Sequence, residues 1–334
     1  MIIMSVESTC DETAVALVRD GREVLTDQIF SQARLHAVYG GVVPEIASRS
    51  HVEVIYQLAD RAIAEAGISR GDIDAVAVSY APGLIGAVLV GVNFAKSAAM
   101  ALGVPLIPVH HIRGHMAANY LAYPELEPPF LCLAISGGNT LLVDVRGYTD
   151  MRIIGCTHDD AAGECFDKTA RVLGLGYPGG KPVDELSRGG DDTRYKLPIA
   201  HIDGKPYDVC FSGLKTAVIN IVHNAEQKGE ELDRPSLCAS FAKAVSDSLV
   251  PRAVAAAKEL GYDKLVVAGG VATNSRIRAD FNRACEREGL RLFVPPLRLC
   301  GDNAAMIGAQ GYYEYLAGHT AGASLNAYAT MSID

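Results

Sequence analysis

The sequence predicts an α/β chain built from two copies of one βββαβα plan. Three observations carry that prediction. Residues 1–31 and 130–155 each read as strand, polar turn, Thr-led strand, Gly turn and third strand. An amphipathic helix belongs to each copy: 46–66 (Val52, Ile55, Ala59, Ala62, Ile63, Ala66) and 237–260 (Leu237, Phe241, Val245, Leu249, Ala253), apolar at helical spacing. Each copy then ends in strand, turn, Gly-closed helix and strand.

The elements follow in order. In the first copy, Met1–Ser5 is a strand, Glu7–Glu12 a polar turn and Thr13–Val18 the return. Asp20-Gly21 is a hairpin turn and 23–31 the third strand. Ala75–Ser79 is a buried strand and Ala81-Pro82-Gly83 a turn. Helix 84–102 is capped by Gly103, and strand 104–109 follows. In the second copy, 130–135, 140–145 and 151–155 are strands, with Ser136-Gly137-Gly138-Asn139 as the first turn. Strand 264–268, turn 269–273, helix 274–288 with Gly289, and strand 290–294 complete it. A last long helix runs to Leu316 and ends at Gly318.

Such a duplication resembles the plan of the actin, Hsp70 and sugar-kinase superfamily (RNase H-like), each lobe a mixed sheet flanked by helices. The expected lobes are 1–109 with 303–334, and 110–302, with the active site in a cleft between them. In that superfamily the turns after the first strands hold phosphates with backbone N–H groups. Fold alone does not give function.

Composition sets bounds. A chain of 334 residues, 49% hydrophobic with 33 glycines, is long enough for two globular domains with many tight turns. No apolar run of about 18 residues free of polar breaks stands out, so no membrane partner is expected. The start, Met1-Ile2-Ile3-Met4-Ser5-Val6-Glu7, lacks the basic region of a signal peptide. Eight scattered cysteines without a C-x-x-C pair read as reduced thiols, and the expected location is cytoplasmic. A net charge of −9 argues against a generic nucleic-acid binder, though a local basic patch or a basic partner can still recruit RNA.

The chemistry centres on Val109-His110-His111-Ile112-Arg113-Gly114-His115, at a strand-to-helix junction. His111 and His115 are four apart, so on a helix both rings leave one face and can bind one divalent transition metal. A carboxylate from elsewhere would complete the site. Asp302, in Cys300-Gly301-Asp302-Asn303 at the corner opening the last helix, is the candidate, although a plain N-cap would explain it too. Paired glycines in Ser136-Gly137-Gly138-Asn139-Thr140 admit an anion close to the backbone. Gly269-Gly270-Val271-Ala272-Thr273-Asn274 can admit a nucleotide near a helix N-terminus, with Asn274 also an N-cap. Tyr177–Asp184 reads as a rigid Gly/Pro loop with free amides. Gly163–Arg171 reads as a helix with acid and base on one side. Arg34, His36, Arg49 and His51 read as a cationic rim suited to a phosphate backbone.

Taken together, these stretches resemble the universal tRNA N6-adenosine threonylcarbamoyltransferase family, called TsaD or Gcp in bacteria. The resemblance covers nearly the whole chain. It rests on Glu7–Thr13, Tyr39–Glu45, His110-His111-x-x-x-His115 and Ile135–Thr140. It continues through Gly163–Lys168, Tyr177–Gly180, Phe211–Lys215, Gly269–Asn274 and Gly301–Asn303. Asn139 stands where many relatives have His. The resemblance implies that His111, His115 and Asp302 bind one divalent metal, Fe2+ before Zn2+. It implies that Ile135, Ser136, Gly137, Gly138, Asn139, Asp167, Gly180, Asp184 and Asn274 bind threonylcarbamoyl-AMP. The group would pass to N6 of adenosine 37, in the anticodon loop of tRNAs reading ANN codons, giving t6A and AMP. Implied partners are a TsaB-like paralogue and a TsaE-like ATPase.

Adenine N6 is a poor nucleophile because its lone pair is delocalised into the ring. Transfer therefore needs an activated carbonyl, alignment and oxyanion stabilisation. Asp11, in the first turn, is the candidate for proton removal, with Glu12 next. Three rival readings are an ATPase or phosphotransferase of the same superfamily, a metallopeptidase and a non-catalytic nucleotide-binding scaffold. The His pair argues against a Mg2+-dependent phosphotransferase, since Mg2+ prefers oxygen ligands. The helix also lacks the glutamate of H-E-x-x-H.

Overall fold

A computed structural model describes residues 1–334. The chain begins with β1 (Ile2–Glu7), β2 (Glu12–Arg19), β3 (Glu23–Ser31), a one-turn α1 (Ala33–Ala37) and α2 (Pro44–Ala66). Next come β4 (Ala75–Ala81), α3 (Ile85–Leu102), β5 (Leu106–His110) and α4 (His111–Ala122). The second half supplies β6 (Phe130–Ile135), β7 (Thr140–Val145), β8 (Met151–Cys156), α5 (Ala162–Val172), α6 (Gly180–Ser187) and α7 (Ser212–Lys228). It ends with α8 (Arg234–Glu259), β9 (Lys264–Ala268), α9 (Ser275–Glu288), β10 (Arg291–Phe293) and α10 (Ala304–Leu316).

Two compact units result. Unit 1 holds Met1–Pro128, Arg146–Met151 and Pro295–Asp334; unit 2 holds Pro129–Val145 and Arg152–Val294. Their sheets repeat one topology, β3-β2-β1-β4-β5 and β8-β7-β6-β9-β10. In both, the first strand pairs antiparallel with the second and parallel with the strand that follows the long helix. This is the duplicated, mixed-sheet α/β plan of the actin, Hsp70 and sugar-kinase class.

In unit 1 the sheet is covered on both faces, so its central strands are apolar on both sides. Val6, Val15, Leu17, Val76 and Val78 meet α2 and α3 through Ile55, Ala59, Val88 and Val92. Ile3, Ala77, Ile107 and Val109 meet Met306 and Ile307 of α10 on the other side. The period of two along β1 and β4 thus assigns alternate residues to opposite layers.

α3 bears on one expectation, its apolar stretch being broken by Asn93, Lys96 and Ser97. It is 18 residues long with mean hydropathy 1.6, enough by length and composition to cross a membrane. Here Ala87, Val88, Val92, Ala95 and Ala99 enter the unit 1 core, and mid-helix Lys96 donates to the Leu325 carbonyl.

The expected lobe boundary at 109/110 also moves. Residues 110–128 and 295–302 pack with unit 1, because α4 lies against α10. Gly114 makes that packing close: a Cβ there would stand 2.7 Å from Ile307 Cδ1. Tyr177–Asp184 is not all loop, since α6 begins at Gly180. Helix α8 starts three residues before the expected Leu237, capped by the Asp233 carboxylate accepting from Ser236 N.

In unit 2, α5 and the β6–β7 turn touch backbone to backbone. Gly163 N donates to Ser136 O at 3.2 Å and Glu164 N to Gly137 O at 3.1 Å. A Cβ on Gly163 would lie 2.6 Å from Ser136 O and 2.7 Å from Gly137 Cα. Neither neighbour is a flexible side-chain tip. Gly163→Ala is therefore expected to destabilise the protein by about 1–3 kcal/mol and to displace this turn. Thermal denaturation measures the first effect and amide hydrogen exchange at residues 136–139 the second.

Candidate active site

The strand-to-helix junction places both histidines on the first turns of α4. His110 is the N-cap, its Nδ1 accepting from Ile112 N at 3.2 Å. One turn apart, the His111 and His115 rings stand 4.6 Å between centroids at 79°. Asp302 Oδ1 lies 3.1 Å from His115 Nε2 and 3.7 Å from His111 Nε2. One ligand atom from each of the three residues falls within 4.8 Å of the others.

Asp302 is not a helix cap. Asn303 takes that role, its side chain accepting from Met306 N at 2.9 Å. Asp302 is left free to face the imidazoles. Asp27 of β3 holds this corner, accepting from Ala304 N at 3.3 Å.

The donor set suits an ion. His115 is 1% exposed, yet neither ring nitrogen makes a hydrogen bond; its contact with Asp302 is close but misaligned. An unpaired buried polar atom costs about 1–3 kcal/mol, and an ion at the point where the three residues converge would remove that cost. Two imidazoles with one carboxylate match a transition-metal dication.

His111 has a partner that sequence reasoning missed. Glu7, fully buried, places Oε2 2.9 Å from His111 Nδ1. Its Oε1 accepts from Thr9 N at 2.6 Å, and Thr9 Oγ1 lies 3.2 Å from the same Nδ1. A proton on Nδ1, shared with Glu7, leaves the Nε2 lone pair facing Asp302. Burial pushes the His111 pKa down, but the Glu7 and Asp302 carboxylates outweigh it and raise it. Burial pushes Asp302 up, and the two imidazoles overcome that and hold it low. The negative field that keeps a proton on His111 would equally favour a dication. Glu7→Gln keeps size and contact but removes charge. It is expected to weaken Zn2+ binding about 10–100-fold, measured by competition with a chromophoric chelator.

Beside this cluster is the β1–β2 turn. Asp11 is 7% exposed. Cys10 and Glu12 stand beside its carboxylate, and Glu12 Oε1 accepts from Ser31 Oγ at 2.9 Å. Burial first, then Asp302 and Asp11, push Glu12 up to about 9. Burial and the same acids push the Cys10 thiol up as well.

The cationic rim expected at 34–51 is not formed. His36 and His51 are fully buried. His51 bridges Thr13 Oγ1 at 2.7 Å and Cys10 O at 2.9 Å, and burial lowers its pKa. His36 accepts from Val43 N and contacts Gln32 Oε1. Arg49 pairs with Glu45 at 2.7 Å. His51 thus ties the acidic turn to α2, and His36 ties α1 to the residue before α2; neither meets solvent.

In unit 2 the expected substrate residues form one linked set. Ile135 ends β6, and Ser136 to Asn139 form a turn closed by Ser136 N donating to Asn139 O. Gly137 and Gly138 are exposed, with open space where a Cβ would stand. The turn bonds to the start of α5. Asp167, farther along α5, accepts from Gly179 N at 2.7 Å and so holds Gly180 at the start of α6. Asp184 of α6 accepts from both Ser275 N and Ser275 Oγ, at 2.9 and 2.7 Å. Asn274 caps α9 through Oδ1, whereas its Nδ2 is buried without a partner. Asp160 is a further finding: it pairs with Lys168 at 2.7 Å and Lys215 at 3.1 Å beside α5.

Comparison with known proteins places the chain in a family. Residues 23–309 match the family described as TsaD, tRNA N6-adenosine threonylcarbamoyltransferase. A Clostridium botulinum protein (strain Kyoto / Type A2) of that name is 47% identical over 99% of this chain and 97% of its own length. Counterparts from Clostridium perfringens (strain ATCC 13124) and Caldicellulosiruptor saccharolyticus are 48% and 46% identical over 98% and 100% of the chain, covering 96% and 98% of their own lengths. Among solved structures, HypF of T. kodakarensis superposes with a TM-score of 0.62 at 15% identity, over 95% of this chain and 48% of that one. The Acidaminococcus fermentans (R)-2-hydroxyglutaryl-CoA dehydratase component A gives 0.54 at 15%, over 95% and 99%. These structural likenesses speak for the fold alone. On sequence similarity along its whole length, the chain belongs to the tRNA N6-adenosine threonylcarbamoyltransferase family.

Proposed function

We propose that this chain is an acyltransferase that moves the threonylcarbamoyl group from threonylcarbamoyl-AMP to N6 of adenosine 37 in tRNAs reading ANN codons. The near-full-length similarity to proteins of that name carries the reading. In the reaction the N6 lone pair attacks the carbamoyl carbonyl of the mixed anhydride. The N6–C bond forms, the C–O bond to phosphate breaks, AMP leaves, and the N6 proton passes to a base.

Residues take the following roles. The Ser136–Gly138 turn, with Ile135 and Asn139 at its ends, receives the phosphate on backbone amides. Asn274 donates its unpaired Nδ2 to the adenylate. Asp167 and Asp184 act as positioning residues for Gly180 and the 274–275 corner. Asp11 accepts the N6 proton, while Glu12, raised to about 9 chiefly by burial, keeps its own. His111, His115 and Asp302 would hold a divalent metal, iron first and zinc second, which would supply Lewis-acid chemistry: an anchor for the threonyl carboxylate or hydroxyl, or polarisation of the carbonyl. A single-stranded anticodon loop lets the base be splayed out toward Asp11 at modest cost. The same reading implies a TsaB-like paralogue and a TsaE-like ATPase as partners, and action in the cytoplasm.

The decisive assay incubates the protein and its partners with threonylcarbamoyl-AMP and unmodified tRNA, then looks for the modified nucleoside by mass spectrometry. Modified adenosine that depends on His115 is the expected result. Rapid ATP turnover by the isolated chain, indifferent to His111→Ala and without modified nucleoside, would favour the phosphotransferase reading instead.

A further inference from the structure

Residues 328–334 run over unit 1 as a strap held by hydrogen bonds to their backbone. Tyr328 N donates to Tyr80 O at 2.9 Å, and Gly83 N donates to Ala329 O at 3.2 Å. His110 Nε2 lies 3.2 Å from Met331 O, and Arg113 Nη2 donates to Ile333 O at 2.6 Å. The accepting carbonyls belong to residues 329, 331 and 333. That period of two is the repeat of extended chain, in which alternate residues share one side. The Ile333 side chain is 2% exposed, whereas Tyr328 and Met331 are 45% and 37% exposed. The strap is therefore pinned near its end and lies largely on the surface.

The groups that receive it are neighbours of the metal ligands. His110 and Arg113 flank His111 on α4. Gly83 precedes Leu84, whose N donates to Thr9 O at 2.8 Å, and the Thr9 hydroxyl reaches the His111 ring. His110 is bound at both ring nitrogens, Nδ1 to Ile112 N inside the first turn of α4 and Nε2 to the strap. Its ring cannot rotate without breaking one bond or the other. Arg113 is fixed from three sides, by Glu314 Oε1, Thr149 O and Ile333 O. A rotation of α4 about its axis would have to move both side chains against the strap.

We propose that residues 328–334 position the metal-binding end of α4, fixing the helix at His110 and Arg113 and thereby the angle of the His111 and His115 rings toward Asp302. The inference rests on the metal reading and adds to it a segment that supplies no ligand. Outer contacts that orient metal-bound imidazoles are worth about 10–100-fold in affinity.

Two variants test it with Co2+ as the probe ion. One ends the chain after Ala327. The other, His110→Asn, keeps a capping acceptor for the first turn but is too short to reach Met331 O. Each is expected to bind Co2+ about 10–100-fold more weakly and, without metal, to exchange the amides of 111–116 faster than the parent. Parental Co2+ affinity together with parental exchange in both variants would overturn the proposal. If the shortened chain does not fold, His110→Asn decides alone. His111→Ala separates the two readings. If it binds Co2+ as the parent does, the metal assignment fails, and the exchange rates still decide whether the strap restrains α4.

Discussion

His115→Ala is expected to abolish one-to-one metal binding and to slow threonylcarbamoyl transfer by more than about 100-fold, beyond the range for losing an outer contact. The same change should cost the metal-free protein little stability. The ring is buried, but both its nitrogens lack hydrogen bonds, so its removal trades lost packing against the relief of an unpaired polar group. The contrast appears when metal is added. A ligand that binds only the folded state stabilises it by about 2.7 kcal/mol at 100 times its dissociation constant. The parent melting temperature should therefore rise with metal, while that of His115→Ala stays fixed. A variant that still bound one ion per chain, or melted alike in both conditions with activity intact, would remove His115 from the site. Asp302→Asn should behave similarly with a smaller loss, because the amide oxygen still reaches the imidazoles but carries no charge to attract a dication.

The duplication was legible because turn chemistry recurs. Glu7–Glu12 followed by Thr13 and Ser136–Asn139 followed by Thr140 mark the same corner of two sheets with the same strand order. The histidine pair was legible because helical spacing alone puts two rings on one face. Asp302 was legible as a carboxylate at a strand-to-helix corner, although the capping role that competed for it belongs to Asn303. Other features depend on contacts remote in sequence. Glu7 meets His111 across 104 residues, and nothing local to either marks the pair. His36 and His51 looked like surface cations beside Arg34 and Arg49, but both are fully buried, His51 on α2 where that helix packs against β2 and β3. Helix α6 was hidden by Tyr177-Pro178-Gly179-Gly180, a turn signal whose last residue is also the helix start held by Asp167. The lobe boundary shifted because α4 is claimed by α10, nearly 200 residues further on, through contacts such as Gly114 with Ile307.

Asp11→Asn should lower the transfer rate by about 10²–10⁴-fold, the usual contribution of a positioned general base, while leaving threonylcarbamoyl-AMP affinity near that of the parent. The amide keeps the volume of the carboxylate and one acceptor oxygen but cannot take a proton. Glu12 is the competing assignment, and the turn distinguishes the two. Burial, followed by the charges of Asp302 and Asp11, raises Glu12 toward 9, so that it holds its proton at neutral pH. Glu12→Gln imitates the protonated acid and should cost less than about 10-fold, well short of what loss of a general base removes. Single-turnover measurements with preformed threonylcarbamoyl-AMP separate chemistry from donor binding and product release. The reverse order, with Glu12→Gln the more damaging change at unaltered donor affinity, would transfer the base to Glu12 and leave Asp11 as a neighbouring charge.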